Sequence, residues 1–134
     1  ELVMAAWRLN ENIPGYLFKR IKAEVPLLNK KKVAILGLSF KKDIDDARFS
    51  LVPKIQRYFL AEGAKVMVSD PYLSSDPLKE TLKNADILVI GTNHSDYKKL
   101  FLAKLQKVVA KDCLICDIWN MFGTGRIIFR INKI

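Results

Sequence analysis

Three short runs in this chain are apolar without interruption: Val33-Ala-Ile-Leu36, Ile87-Leu-Val-Ile90 and Leu114-Ile-Cys116. A strand with one wet face alternates polar and apolar residues, so a strand with no polar position must be covered on both faces. Parallel sheets with helices above and below meet that condition. Between the runs lie stretches with helical spacing, such as Leu51, Ile55, Tyr58 and Phe59, which predict a helix with those four residues inward. Strands alternating with helices imply an α/β fold, here a Rossmann-like doubly wound parallel sheet. Half of the 134 residues are apolar, which supplies one core and leaves no room for two.

The spacing also sets boundaries. From Glu1 to Ala23 the residues Leu2, Ala6, Leu9, Ile13, Leu17 and Ile21 recur at helical steps, interrupted by Pro14-Gly15, where a kink or a restart is expected. This helical segment, residues 1–29, precedes an α/β domain over residues 30–134. Ser50 is placed to cap the helix that follows the first strand, and Gly63 to end it in the left-handed conformation. Lys65 to Ser69 reads as a second strand closed by Asp70-Pro71, Asp76-Pro77 opens a short helix through Leu82, and Leu100, Leu105 and Val109 mark another helix. Arg126 to Ile131 is a candidate edge strand, its register open.

A net charge of +9 invites a nucleic-acid reading. The lysines are scattered, however, without interleaved aromatics, a finger or a recognition helix, so no nucleic-acid partner is expected. No apolar run approaches the ~18 residues needed to cross a bilayer, and a cytoplasmic protein without a membrane partner is expected. Cys113 and Cys116 form C-x-x-C, but residues three apart on a strand point to opposite faces. His94 is the single histidine. Neither a redox pair nor a metal site is expected, and both thiols read as small buried hydrophobes.

The first strand ends at Gly37 and opens into a long polar loop carrying Lys41, Lys42, Asp43, Asp45, Asp46 and Arg48. Loops at the carboxyl ends of strands are where open α/β sheets bind ligands. A dinucleotide site would need G-x-G-x-x-G here, yet Leu38, Ser39 and Phe40 follow Gly37. No NAD is therefore expected on this segment. A phosphate would be met by side chains, with Lys41, Lys42 and Arg48 the available cations.

The stretch Gly37-Leu-Ser-Phe-Lys-Lys-Asp-Ile-Asp-Asp-Ala-Arg-Phe-Ser50 resembles the G-x-x-F-K-x-x-x-x-D-x-R-x-S signature that opens the C-terminal domain of the UDP-glucose/GDP-mannose dehydrogenase family. Glu62-Gly63-Ala64 with Asp70-Pro71, Ala85-Asp86, Asp117, and Asn10-Glu11 with Pro14 resemble further family features in the same order. The Ile44-Asp-Asp-Ala-Arg48 and Thr92-Asn-His-Ser-Asp96 segments are similar to the UDP-N-acetylmannosamine dehydrogenase branch.

The resemblance implies a nucleotide-sugar-binding domain of an NAD-dependent enzyme that oxidises the C6 hydroxyl of a UDP-sugar to a carboxylate through a cysteine intermediate. It further implies that NAD and the catalytic cysteine belong to a domain upstream of residue 1, that this chain alone is inactive and holds no catalytic residue, and that the N-terminal helix joins a homodimer. Phe40 and Lys41 fall on family positions that contact the nucleotide and its phosphate, and Arg48 matches a family arginine. Two readings stand for Arg48: a ligand contact, or a brace paired with Asp45 or Asp46. Lys42, Asp46, His94 and Asn120 are further candidates, with solvated neighbour the alternative for Lys42 and exposed loop histidine for His94. Asp70 and Asp117 at strand ends either cap loops or touch ligand. Phe49 stands where the family commonly has Glu, and Trp119 where it often has Arg. A different class of function, a non-catalytic interaction or dimerisation module with a basic face, is the alternative.

Overall fold

The structure is a computed structural model that describes the backbone of residues 1–134 and every side chain except that of Trp7. The first element is α1 (Leu2–Glu24), a helix that continues through Pro14. The expected break at Pro14 does not occur. A proline withholds one intrahelical hydrogen bond from the carbonyl four residues earlier, but Ile13, Leu17 and Ile21 pack on the core on both sides of the ring and hold the helix continuous. The upstream turns have no such cover, and Leu2, Val3 and Leu9 are exposed.

Five strands form one sheet: β1 (Lys32–Leu36), β2 (Lys65–Ser69), β3 (Ile87–Ile90), β4 (Leu114–Cys116) and β5 (Ile128–Arg130). Their order is β2-β1-β3-β4-β5. β1 pairs in parallel with β2 and β3, and β3 pairs in parallel with β4. β5 departs from the all-parallel expectation and lies antiparallel on β4, with Ile115 opposite Phe129. Its connection from β4 contains no crossover helix, and a direct return reverses the strand.

The helices α2 (Val52–Ala61), α3 (Leu78–Leu82) and α4 (Leu102–Leu105) connect the parallel strands. The cap falls one residue later than expected: Leu51 is the N-cap of α2 and makes no side-chain cap bond, while Ser50 Oγ accepts the Val52 amide at 3.2 Å from the position before it. Gly63 adopts φ +82° just past α2. Ile55 and Phe59 of α2 are buried as expected, whereas Tyr58 lies half-exposed and stacks on Phe18 with centroids 5.1 Å apart. α4 is a single turn instead of a full helix. Residues after it bond to the β3 approach, the Asn84 amide donating to the Val108 carbonyl and the Ala110 amide to the Ala85 carbonyl, so the backbone leaves the helical path. Leu105 and Val109 are nevertheless buried.

Two apolar layers cover the sheet. One joins Leu17, Ile21, Phe59, Val33, Ile35 and Cys116; the other joins Ala34, Leu36, Leu88, Leu105, Cys113 and Phe129. The two cysteines thus lie on opposite faces, and both are buried and free. No described helix is long and apolar enough to cross a membrane.

Candidate functional site

The chain runs from β1 to β2 on one side and then crosses to β3 on the other, so connections diverge at the carboxyl ends of β1 and β3. In open α/β sheets that divergence leaves a ligand crevice. A cavity of about 870 Å³ lies there, walled by α1, the loop after β1, the start of α2 and the loops after β3 and β4. The aromatic residues Phe40, Phe49 and Trp119 and the basic residues Lys54 and Arg57 are among its lining.

Each wall has a local cause. Phe40 and Phe49 flank the polar loop with ring centroids 6.2 Å apart, edge to face, and the Phe40 amide bonds the Asp46 carbonyl at 2.7 Å. Phe49 sits at φ +65°, with 83% of its surface exposed. Trp119 follows the cap formed by Asp117, whose carboxylate accepts the Met121 and Phe122 amides at 2.9 Å each. The Trp119 Nε1–H points to the Gly91 carbonyl at 3.4 Å, closing the cavity over β3. On α2, Lys54 donates to the Glu11 backbone carbonyl at 3.1 Å and lies 3.7 Å from the Glu11 carboxylate. Arg57 is one turn further along, and its guanidinium makes no hydrogen bond or ion pair among the described residues.

The residues named from sequence are distributed unevenly around this cavity. Phe40 lines it, and Lys41 lies just outside with its ammonium 5.6 Å from the Phe40 ring centre. Arg48 forks onto Asp46, with Nη2 2.8 Å and Nε 3.0 Å from the carboxylate. Those hydrogen bonds, together with the guanidinium charge, lower the Asp46 carboxyl to about 2 and raise Arg48. Both sequence readings of Arg48 had a physical basis, and the brace to Asp46 is the one present here. Lys42 is exposed. Asn120 adopts φ +54° and uses its side-chain carbonyl to accept the Gly125 amide at 2.9 Å, closing the tail loop.

His94 is not the exposed loop histidine anticipated as its alternative. It is buried, with Nε2 2.9 Å from both Asp70 Oδ2 and Ser39 Oγ and Nδ1 accepting the Asp43 amide at 2.8 Å. Three loops converge here, which no local sequence pattern announces. Asp70 also accepts the Leu38, Ser39 and Tyr72 amides. Burial pushes its carboxyl up, but these amides and the His94 ring outweigh that and hold it below the usual range. Asp70 and Asp117 therefore serve as loop caps.

The loop does not fit an NAD pyrophosphate. Such a group needs glycines that let it approach the backbone beside a helix start, whereas residues 37–51 separate β1 from α2. Gly37 serves packing instead: at φ +95°, a Cβ there would meet the Thr92 amide nitrogen at 2.5 Å. Burial, the largest cause, pushes both cysteine thiols up to about 12, so neither forms a ready thiolate nucleophile. Sequence reasoning missed Lys54 and Arg57 as wall residues. Their three-residue spacing on a helix that opens directly from the loop is the signal that would have found them.

The model of the UDP-glucose/GDP-mannose dehydrogenase family, UDP binding domain, matches residues 34–124. The UDP-N-acetyl-D-mannosamine dehydrogenase of Methanococcus aeolicus is 28% identical over 90% of this chain and 30% of its own length. The NDP-N-acetyl-D-galactosaminuronic acid dehydrogenase of Ralstonia nicotianae is 29% identical over 94% of this chain and 31% of its own. Among solved structures, the NDP-N-acetyl-D-galactosaminuronic acid dehydrogenase of Methanosarcina mazei superposes with a TM-score of 0.74 at 28% identity, covering 95% of this chain and 26% of that one. The UDP-N-acetyl-mannosamine dehydrogenase of Staphylococcus aureus gives 0.74 at 26% identity, covering 88% and 29%. This chain thus spans under a third of the length of these relatives. With a matching sheet, a loop at the switch point and a family match across most of its length, the chain belongs to the UDP-glucose/GDP-mannose dehydrogenase family, as its UDP binding domain.

Proposed function

We propose that the cavity at the carboxyl ends of β1 and β3 binds the nucleoside diphosphate of a UDP-sugar, and that the whole protein oxidises the sugar C6 hydroxyl to a carboxylate with NAD. The observation that carries this reading is one concave site pairing exposed aromatic faces, Phe40 and Trp119, with the cations Lys54 and Arg57. Aromatic faces stack on bases. Ammonium and guanidinium groups match phosphate charge. Phe40 and Lys41 meet the nucleotide in this reading, while Arg48 shapes the loop through Asp46 and acts on the ligand only if it exchanges partners.

The oxidation itself belongs to residues outside this chain, which supplies binding and orientation; alone it is inactive. NAD is held by another part of the protein. The exposed upstream turns of α1 meet a second copy of the chain, making a homodimer, and the assembly is cytoplasmic. The same exposed face supports the alternative of a pure dimerisation module, for which the cavity would be incidental.

Calorimetric titration separates the two. UDP is expected to bind the 134-residue chain more tightly than NAD, and Lys41→Ala to weaken UDP about tenfold, the loss of one charged contact of about 1.4 kcal/mol. Tighter binding of NAD, or full UDP affinity in Lys41→Ala, contradicts the proposal.

A further inference from the structure

Phe40, Lys41 and Lys42 form an exposed arch between Ser39 and Asp43, and both flanking residues bond the same imidazole. On one side, His94 Nε2 lies 2.9 Å from Ser39 Oγ. The Ser39 hydroxyl donates onward to the Lys41 carbonyl at 3.0 Å, so it must accept from the ring. Nε2–H is shared with Asp70 Oδ2, also at 2.9 Å. On the other side the Asp43 amide donates to Nδ1 at 2.8 Å, which requires that nitrogen to carry no proton. Together these bonds select the neutral Nε2–H tautomer.

Other bonds hold the same segment: the Phe40 amide donates to the Asp46 carbonyl at 2.7 Å and the Ser39 amide to Asp70 Oδ2 at 3.1 Å. Asp43 holds φ +60°, a left-handed conformation that a residue with a side chain keeps only when its surroundings enforce it. The Ser95 amide and hydroxyl secure the Asp43 carboxylate, and the Thr92 hydroxyl donates to the Ser39 carbonyl at 2.7 Å. The ends are therefore fixed while the side chains of Phe40, Lys41 and Lys42 remain exposed. A segment ordered before its ligand arrives loses less entropy on binding.

We propose that His94 is a positioning residue for nucleotide binding: one buried imidazole pins both ends of the Phe40–Lys42 arch, so that Phe40 and Lys41 meet the ligand preorganised. The proposal rests on the UDP-site reading above and adds the residue that sets its geometry.

Two measurements test it and keep its failure apart from that of the UDP site. In the ligand-free 134-residue chain, a nitrogen–nitrogen scalar coupling across the hydrogen bond should link the Asp43 amide to His94 Nδ1. Its absence, or a ring protonated at Nδ1, overturns the proposal whatever the chain binds. UDP is then titrated into wild type, His94→Asn, His94→Gln, Lys41→Ala and the His94→Gln/Lys41→Ala pair. Asn places an acceptor where Nδ1 sits and keeps the Asp43 pin, whereas Gln keeps only the Ser39 and Asp70 side. His94→Gln is expected to bind UDP about tenfold more weakly and His94→Asn to recover most of that loss. In the Lys41→Ala background the effect of His94→Gln should disappear, because the histidine acts through the arch. Equal losses for Asn and Gln, or an undiminished loss beside Lys41→Ala, overturn positioning while UDP binding stands. If His94→Gln does not fold, Ser39→Ala, which removes the imidazole's partner at one end of the arch, takes its place in the same cycle, and a loss of UDP affinity undiminished beside Lys41→Ala overturns positioning. A wild-type chain that shows the coupling yet binds no UDP overturns the site reading and this role with it.

Discussion

At Gly37 the chain turns at φ +95° beneath Thr92, in space where even one methyl group would strike backbone. The clash cannot be relieved by a rotamer change, so Gly37→Ala combines left-handed strain with displacement of the β3 loop. A loss of about 2–4 kcal/mol is expected in urea unfolding, and an unchanged midpoint would refute the packing role. Asp70 carries a different expectation. Its carboxyl titrates in the folded chain below its unfolded value of about 3.9. The stability it adds is present above that value and is lost as pH falls through the lowered folded value. Asp70→Asn should flatten the acid limb of stability below pH ~4 and lower stability at neutral pH, where the wild-type carboxylate receives three amides and the His94 ring. Unfolding curves at several pH values test both parts. Gly37, Asp70 and Asp117 were legible as punctuation in the sequence. The burial of His94 was not, because a polar residue in a polar loop carries no periodic signal.

Elements followed the sequence closely wherever their own side chains decided them. The second strand, Lys65–Ser69, matches its expected span, and the apolar runs became β1, β3 and β4. Departures occur where neighbours override local preference. Packing of Ile13, Leu17 and Ile21 carries α1 through Pro14, and backbone bonds from Asn84 and Ala110 shorten α4. The docking of α1 rests largely on its downstream half. Ile21 is fully buried, and Ile21→Ala is expected to cost about 2–5 kcal/mol as a core cavity. Thermal unfolding followed by circular dichroism measures this. Leu9→Ala, at 70% exposure, should leave the melting temperature of the monomer nearly unchanged.

For the whole molecule, the exposed start of α1 and the basic surface suggest different partners, and they can be separated. Sedimentation of the 134-residue chain is expected to show a dimer at micromolar concentration, and Leu2→Glu with Leu9→Glu to shift it toward monomer while UDP affinity is retained. A wild-type monomer would remove the dimer proposal. The sequence by itself determined the α/β class, the strand positions, the opposed faces of Cys113 and Cys116, and the long polar loop after the first strand. Those features follow from periodicity, glycine and proline punctuation and a contiguous motif, all local along the chain. Only the tertiary structure decided that β5 runs antiparallel, that Lys54, Arg57 and Trp119 share a cavity with Phe40, and that His94 is buried between three loops. Each of these depends on residues far apart in sequence meeting at the carboxyl edge of one sheet, and that meeting is fixed by strand order, which no single segment encodes.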